Sequence, residues 1–192
     1  NEITDLKSHA NVLSLISGNG FGREGYPVRG LFSIPFAGLT EDGLPTFINQ
    51  DGQKTISSFN FQEYEKLDFL KYEGPTDPTI TGSFGNILTY KNLKLNVFVT
   101  YSFGNVIRLD PVFSNAYSDL DAMPKEFKNR WMKAGDENVT NIPTIVSTRM
   151  NQQYAYLNMA YNAYNYSDVR IADGGFIRLK EISLSYDLPA KV

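Results

Sequence analysis

The stretch Leu93-Lys94-Leu95-Asn96-Val97-Phe98-Val99-Thr100-Tyr101-Ser102-Phe103 decides the fold. Leu93, Leu95, Val97, Val99, Tyr101 and Phe103 share one parity; Lys94, Asn96, Thr100 and Ser102 share the other, with Phe98 the exception. Successive side chains of an extended strand point to opposite faces, so this alternation predicts a strand with one apolar and one polar face. Just upstream, Gly82 to Tyr90 reads as a second strand, with Phe84, Leu88 and Tyr90 on one face, and only Lys91-Asn92 lies between the two. Two strands joined by two residues predict an antiparallel hairpin. The second strand has 11 residues, about the length of a tilted strand that crosses a bilayer. Aromatic residues stand at both ends, Tyr90 beside the turn and Tyr101 and Phe103 at the far end, where the interfacial girdles of a membrane barrel lie. A hairpin of a soluble sandwich shows the same alternation. The pattern alone therefore lets Leu93, Leu95, Val97, Val99 and Tyr101 face either lipid or a protein core.

Downstream, a strand is expected over about 175–188. Ile177 and Leu179 share one parity there and Ile182, Leu184 and Tyr186 the other. A bulge near Lys180-Glu181 would bring both sets to one face by shifting the register one residue. Alternatively, the first half projects beyond the membrane, where the lipid rule lapses. Pro189 is expected to end the strand. Upstream, about 26–39 reads as a strand that Pro27 and Pro35 confine to an edge, a bulge or an irregular path.

The segments about 40–80 and 104–169 read as long loops. Within the first, Phe61, Tyr64, Leu67 and Leu70 have a helix-like spacing that allows a short helix over Phe61 to Lys71. So long a connection as 104–169 fits a compact soluble domain poorly. It fits an outer-membrane barrel, which joins strands by short periplasmic turns and long extracellular loops. With Lys91-Asn92 as a periplasmic turn, 93–103 runs outward, 104–169 is extracellular, and 175–188 returns.

Composition narrows the chemistry. The 192 residues carry 12 Tyr and 13 Phe, one Trp, no Cys and a net charge of -3. No basic run offers a track for a nucleic-acid backbone, so no nucleic-acid partner is expected. Without cysteine there are no disulfides, thiolate metal sites or cysteine nucleophiles. His9 is the only histidine, and its neighbours suggest neither a metal site nor a triad. Asp119/Asp121, Asp136/Glu137 and Asp68/Glu73 could be imagined as a glycosidase pair or a calcium site, but solvated loop charge reads better. No catalytic residue, metal ligand or cofactor is expected. Gly18-Asn19-Gly20-Phe21-Gly22 lacks the preceding strand and following helix of a phosphate-cradling loop. No apolar run reaches the ~20 residues of a spanning helix, which says nothing about a barrel. Asn138-Val139-Thr140 and Asn165-Tyr166-Ser167 match the glycosylation pattern, which has no meaning in a bacterial cell.

Trp131 and the tyrosines Tyr154, Tyr156, Tyr161, Tyr164 and Tyr166 are the candidate contact residues. Rigid amphipathic rings suit sugar stacking and partner interfaces, and they equally suit packing of the loop itself.

Several stretches resemble the SusC/RagA family of TonB-linked outer-membrane proteins. One is Tyr72-Glu73-Gly74-Pro75-Thr76-Asp77-Pro78, leading through Gly82-Ser83-Phe84-Gly85-Asn86 to Tyr101-Ser102-Phe103-Gly104. A second is Asn129-Arg130-Trp131 with Gly135-Asp136-Glu137 and Asn141-Ile142-Pro143. The most specific is Ser167-Asp168-Val169-Arg170, Asp173-Gly174-Gly175-Phe176-Ile177-Arg178-Leu179-Lys180 and Ile182-Ser183-Leu184-Ser185-Tyr186-Asp187-Leu188-Pro189. Each is weak alone; their order and spacing span nearly the whole chain.

The resemblance implies an all-β fold, antiparallel strands of a partial transmembrane β-barrel with long extracellular loops, in the outer membrane of a Gram-negative bacterium. It implies a larger parent with an N-terminal plug and a barrel of the 22-stranded class. It implies import of oligosaccharide or peptide, a SusD-like surface lipoprotein as partner, outer-membrane lipid around the strands, and energy from the TonB system through the missing N-terminal part. Against that parent the chain is expected to be a C-terminal barrel fragment, because it shows no plug or TonB box. Its roughly four to six strands are also fewer than the eight of the smallest membrane barrel. The competing expectation is a soluble, β-rich surface glycan-binding module without transport.

Overall fold

The computed structural model of the protein describes residues 2–18, 22–112, 124–154 and 156–188. In chain order its elements are α1 (Val12–Ser17), β1 (Gly30–Ser33), β2 (Phe36–Leu39), β3 (Pro45–Ile48), β4 (Lys54–Thr55), β5 (Lys71–Pro75), β6 (Ile80–Tyr90), β7 (Leu93–Phe103), β8 (Val106–Arg108), α2 (Thr148–Gln153), α3 (Leu157–Asn165), β9 (Ile171–Asp173) and β10 (Phe176–Tyr186). Single turns of 3-10 helix lie at Lys125–Asn129, Asp136–Asn138 and Asp168–Arg170.

The three 11-residue strands form one antiparallel sheet in the order β10-β7-β6. Lys91 makes the tight β6–β7 turn possible with a φ of 53°, the left-handed backbone that two-residue hairpin turns demand. The Asp187 amide donates to the Asn92 carbonyl at 2.8 Å, tying the end of β10 to that turn. Leu179 pairs with Val99 but Glu181 pairs with Phe98, so Lys180 is the extra residue of a β-bulge. The bulge reconciles the two parities of β10: Ile177, Leu179, Ile182, Leu184 and Tyr186 stand opposite Tyr101, Val99, Val97, Leu95 and Leu93 in turn. On the other side of β7 the same residues meet Gly82, Phe84, Asn86, Leu88 and Tyr90. A Cβ at Gly82 would overlap the Tyr101 hydroxyl, so the absent side chain is what lets that ring lie across the strand.

The remaining elements build a cap with its own core. β1 pairs with β5, β2-β3-β4 form a second small sheet, and β8 pairs with β9, all antiparallel. The main cluster joins Val12, Leu15 and Ile16 of α1 to Phe32, Ile34, Phe47, Leu70, Val112, Phe127, Ala163 and Tyr164. A smaller one joins Leu44 to Leu157, Ala160 and Tyr161 of α3. Neither cluster draws a side chain from β6, β7 or β10.

Several expectations change here. The strand expected over 26–39 is two strands broken at Ile34-Pro35: Ile34 bridges to Ser167, and the Pro35 carbonyl accepts from the Ile48 amide. The loop expected over 40–80 contains β3, β4 and β5. No helix forms over Phe61 to Lys71. Glu63 instead turns its carboxylate onto the amides of Tyr64, Glu65 and Lys66, while Phe61 and Leu67 pack on the core from an irregular backbone. The stretch 104–169 carries β8, α2 and α3. Asn19, Gly20 and Phe21 of the glycine-rich segment, the Asp119/Asp121 pair and Pro189 lie outside the described residues.

Candidate functional site

Two surfaces stand out. The first is the apolar face of the long sheet. Its residues come from three strands held in phase by the bulge. No described residue covers it: Ile177 is 70% exposed, Leu184 65%, Ile182 65%, Phe84 62% and Leu88 60%. Leu95, Val97, Val99 and Tyr101 on the central strand are half-buried, and Leu93 at its end is more open. Tyr90 and Tyr186 mark the turn end of this face, and Tyr101 and Phe103, stacked at 5.9 Å, mark the far end. Uncovered apolar area of this extent is not a stable water-exposed surface. The opposite face carries Lys94, Asn96, Thr100, Glu181 and Ser183. On it Asn96 donates to Glu181 at 2.8 Å and the Ser183 hydroxyl meets the same carboxylate at 3.1 Å.

The second surface is the cap. Of the tyrosines expected to contact a ligand or partner, Tyr161 and Tyr164 are core residues, 2% and 1% exposed. Tyr161 also donates its hydroxyl to the Thr144 carbonyl at 2.5 Å. Helical spacing of three turned both rings inward. Burial pushes the Tyr164 phenol up to about 12. Tyr166 is half-buried with the Arg108 guanidinium 5.2 Å over its ring. Trp131 packs against Gly43, donates Nε1 to Glu137 at 3.1 Å, and is an anchor of its loop. Tyr154 and Tyr156 remain at the surface, 37% and 66% exposed.

Two arginines hold the cap together, Arg108, which the sequence reading passes over, and Arg170, which it quotes only within a family-like stretch. Arg108 donates to the carbonyls of Ile16 at 2.9 Å, Phe32 at 2.7 Å and Asn165 at 3.4 Å, joining α1, β1 and α3. Burial lowers its pKa to about 10, opposed by Tyr166 and Glu73, so it stays cationic at neutral pH. Arg170, 3% exposed, pairs with Glu126 at 2.8 Å and donates to the Asp110 carbonyl at 2.6 Å. Arg108 shows in the sequence as a lone cation in the apolar run Val106-Ile107-Arg108-Leu109, and Arg170 stands in the stretch Ser167-Asp168-Val169-Arg170 quoted above.

The two carboxylate pairs within the described residues are engaged structurally. Asp136 accepts from the amides of Met132 and Lys133, and Glu137 from Trp131 and the Gly135 amide. Asp68 pairs with Arg23. Glu73 accepts from Ser33 at 2.5 Å and lies 3.3 Å from Lys71, which also reaches Asp168. Burial would lower the Lys71 ammonium, but those two carboxylates outweigh it and hold its pKa above the usual value. His9 is exposed. Among the described residues no group of three or more His, Asp or Glu could hold a metal ion, and no helix is long and apolar enough to cross a membrane.

No family model matches the chain. TonB-dependent receptor P3 of Formosa agariphila is 24% identical over 173 residues, 86% of this chain and 15% of that protein. The RagAB peptide importer in its 'open-open' state superposes with a TM-score of 0.59 at 21% identity, covering 98% of this chain and 19% of that one. In its 'closed-closed' state the TM-score is 0.52 at 21% identity, covering 87% and 17%. The chain thus spans under a fifth of each protein it matches. The neighbours establish the fold, antiparallel strands of a β-barrel, here an unclosed sheet whose outer strands β6 and β10 pair with no further described strand. Over 86% of its length the chain is similar to a TonB-dependent receptor, and its fold is that of a segment of the RagAB importer.

Proposed function

We infer that the chain works as part of a nutrient importer of the SusC type in the outer membrane. In this reading β6, β7 and β10 cross the bilayer with Lys91-Asn92 at the periplasmic side, and the cap lies outside the cell. Leu93, Leu95, Val97, Val99 and Tyr101 face lipid. TonB acts through parts of the parent beyond this segment, a SusD-like lipoprotein docks on the external side, and oligosaccharide or peptide is the cargo. The chain performs no reaction itself.

One observation carries this: a single apolar face runs across three 11-residue strands and is kept in phase by a bulge at Lys180. A soluble module would need that face as a protein core, and both cores among the described residues are built elsewhere. The relatives fit as well, one named a receptor and the other an importer.

The test uses the absence of native cysteine. Single cysteines at Leu95, Val97 and Ile182, and at Asn96 and Ser183, are labelled with an environment-sensitive fluorophore in a reconstituted bilayer. A lipid-phase quencher should reach the first three and spare the last two. Equal quenching of both sets would defeat the membrane assignment.

A further inference from the structure

Among the described residues Lys91 is the one non-glycine residue with a positive φ, at 53°. Left-handed backbone is costly for a lysine, and a two-residue hairpin turn ordinarily places glycine or asparagine there. The turn itself gives no reason for a lysine at this position. A backbone outlier of this kind points to a use for the side chain.

That side chain has a defined place. The Lys91 Nζ lies over the Tyr90 ring, 5.4 Å from its centroid. Tyr90 belongs to the apolar face of the long sheet and stands opposite Leu93, which stands opposite Tyr186 on its other side. The ammonium is therefore drawn to the apolar side of the sheet, at the end of a row in which two phenols flank one leucine. Both rings are open, Tyr90 at 71% and Tyr186 at 59% exposure. Among the described residues no carboxylate lies within ion-pair distance of Lys91. Asp187 meets the turn through its backbone amide, which donates to the Asn92 carbonyl. The segment Tyr90-Lys91-Asn92-Leu93-Lys94 carries two cations and no acid, and Lys94 belongs to the opposite, polar face.

We propose that the turn end of this face is a binding site for the headgroup of an anionic phospholipid. The ammonium is a point charge for the phosphate, and the phenols of Tyr90 and Tyr186 donate to its oxygens. The two rings and Leu93 border the glycerol and the upper acyl chains, as amphipathic rings do at a water–lipid boundary. A zwitterionic headgroup brings an ammonium of its own to a site that already holds one, so charge complementarity selects the anionic lipid. The inference rests on the membrane reading of the long sheet and names a lipid for it. It fails separately: the quenching test asks whether the sheet lies in lipid of any kind, and this one compares headgroups.

The experiment is native mass spectrometry of the chain released from mixed micelles holding equal amounts of phosphatidylglycerol and phosphatidylcholine. Phosphatidylglycerol should be retained in preference. Lys91→Gln should cut that preference about fivefold, the worth of one basic residue at an anionic lipid surface. Lys94→Gln, on the opposite face, should leave it intact. Lys91→Gly separates binding from structure. It relieves the backbone, so hydrogen-exchange protection of the hairpin should hold or rise while the preference falls as with glutamine. Loss of protection together with the preference would return Lys91 to a structural role and overturn the site. So would any of four other results: no preference in the unaltered chain, a preference that survives Lys91→Gln, an equal loss in Lys94→Gln, or displacement of the lipid by inorganic phosphate, which would mark a site for soluble anions.

Discussion

Gly43 and Trp131 make a contact that neither residue could make in another form. Gly43 has a φ of 75°, and a Cβ there would overlap the indole ring. Gly43→Ala therefore meets backbone strain and a steric clash together, and should cost about 2–4 kcal/mol. Trp131 is the only tryptophan, so its emission reports the loss directly: the denaturation midpoint should fall and the native spectrum shift to the red. Trp131 was legible as a residue of interest, but its role was not. Its partner Gly43 is remote in sequence, and nothing local distinguishes a ring that anchors a loop from one displayed to a ligand. Tyr161 and Tyr164 teach the same lesson. Only the position of α3 against Leu44 and Phe47 decides which tyrosines of the tract are buried.

The bulge at Lys180 shows how much an element's register depends on one residue. Deleting Lys180 would remove the bulge and set Leu179, opposite Val99, directly before Glu181, opposite Phe98, so the alternation would run unbroken and Ile177 and Leu179 would keep their face. Hydrogen exchange in micelles should show protection kept over both 176–179 and 181–186, whereas an insertion beside Lys180 that slips the register should lose it over 176–179. Lys180→Ala should keep both halves, because the bulge needs a residue there and not its ammonium. This element was open to sequence reading because side-chain alternation is a local signal. The short strands were not. β1 pairs with β5, and β8 with β9, across long stretches of chain, and strands of three to five residues have no room to display a period.

Across the whole molecule, apolar residues serve two separate ends. Those with clean alternation lie on an uncovered sheet, and those in segments that read as loops form the cores. Substitutions should sort accordingly in denaturant titrations followed at Trp131. Phe47→Ala, at a fully buried ring, should cost about 3–5 kcal/mol, while Leu184→Ala should move the cap's midpoint by less than about 0.5 kcal/mol. A shared effect would mean that cap and sheet unfold as one.

Among the described residues the chain passes between sheet and cap at three short crossings, residues 76–79, 104–105 and 174–175. Two of them are rich in glycine: Gly104 stands in the second, and Gly174 with Gly175 makes up the third. In the importer reading proposed above, such joints turn the cap into a cassette. An evolving lineage could exchange it wholesale, acquiring a new appetite while inheriting an unaltered membrane wall, and a protein engineer could graft at the same seams.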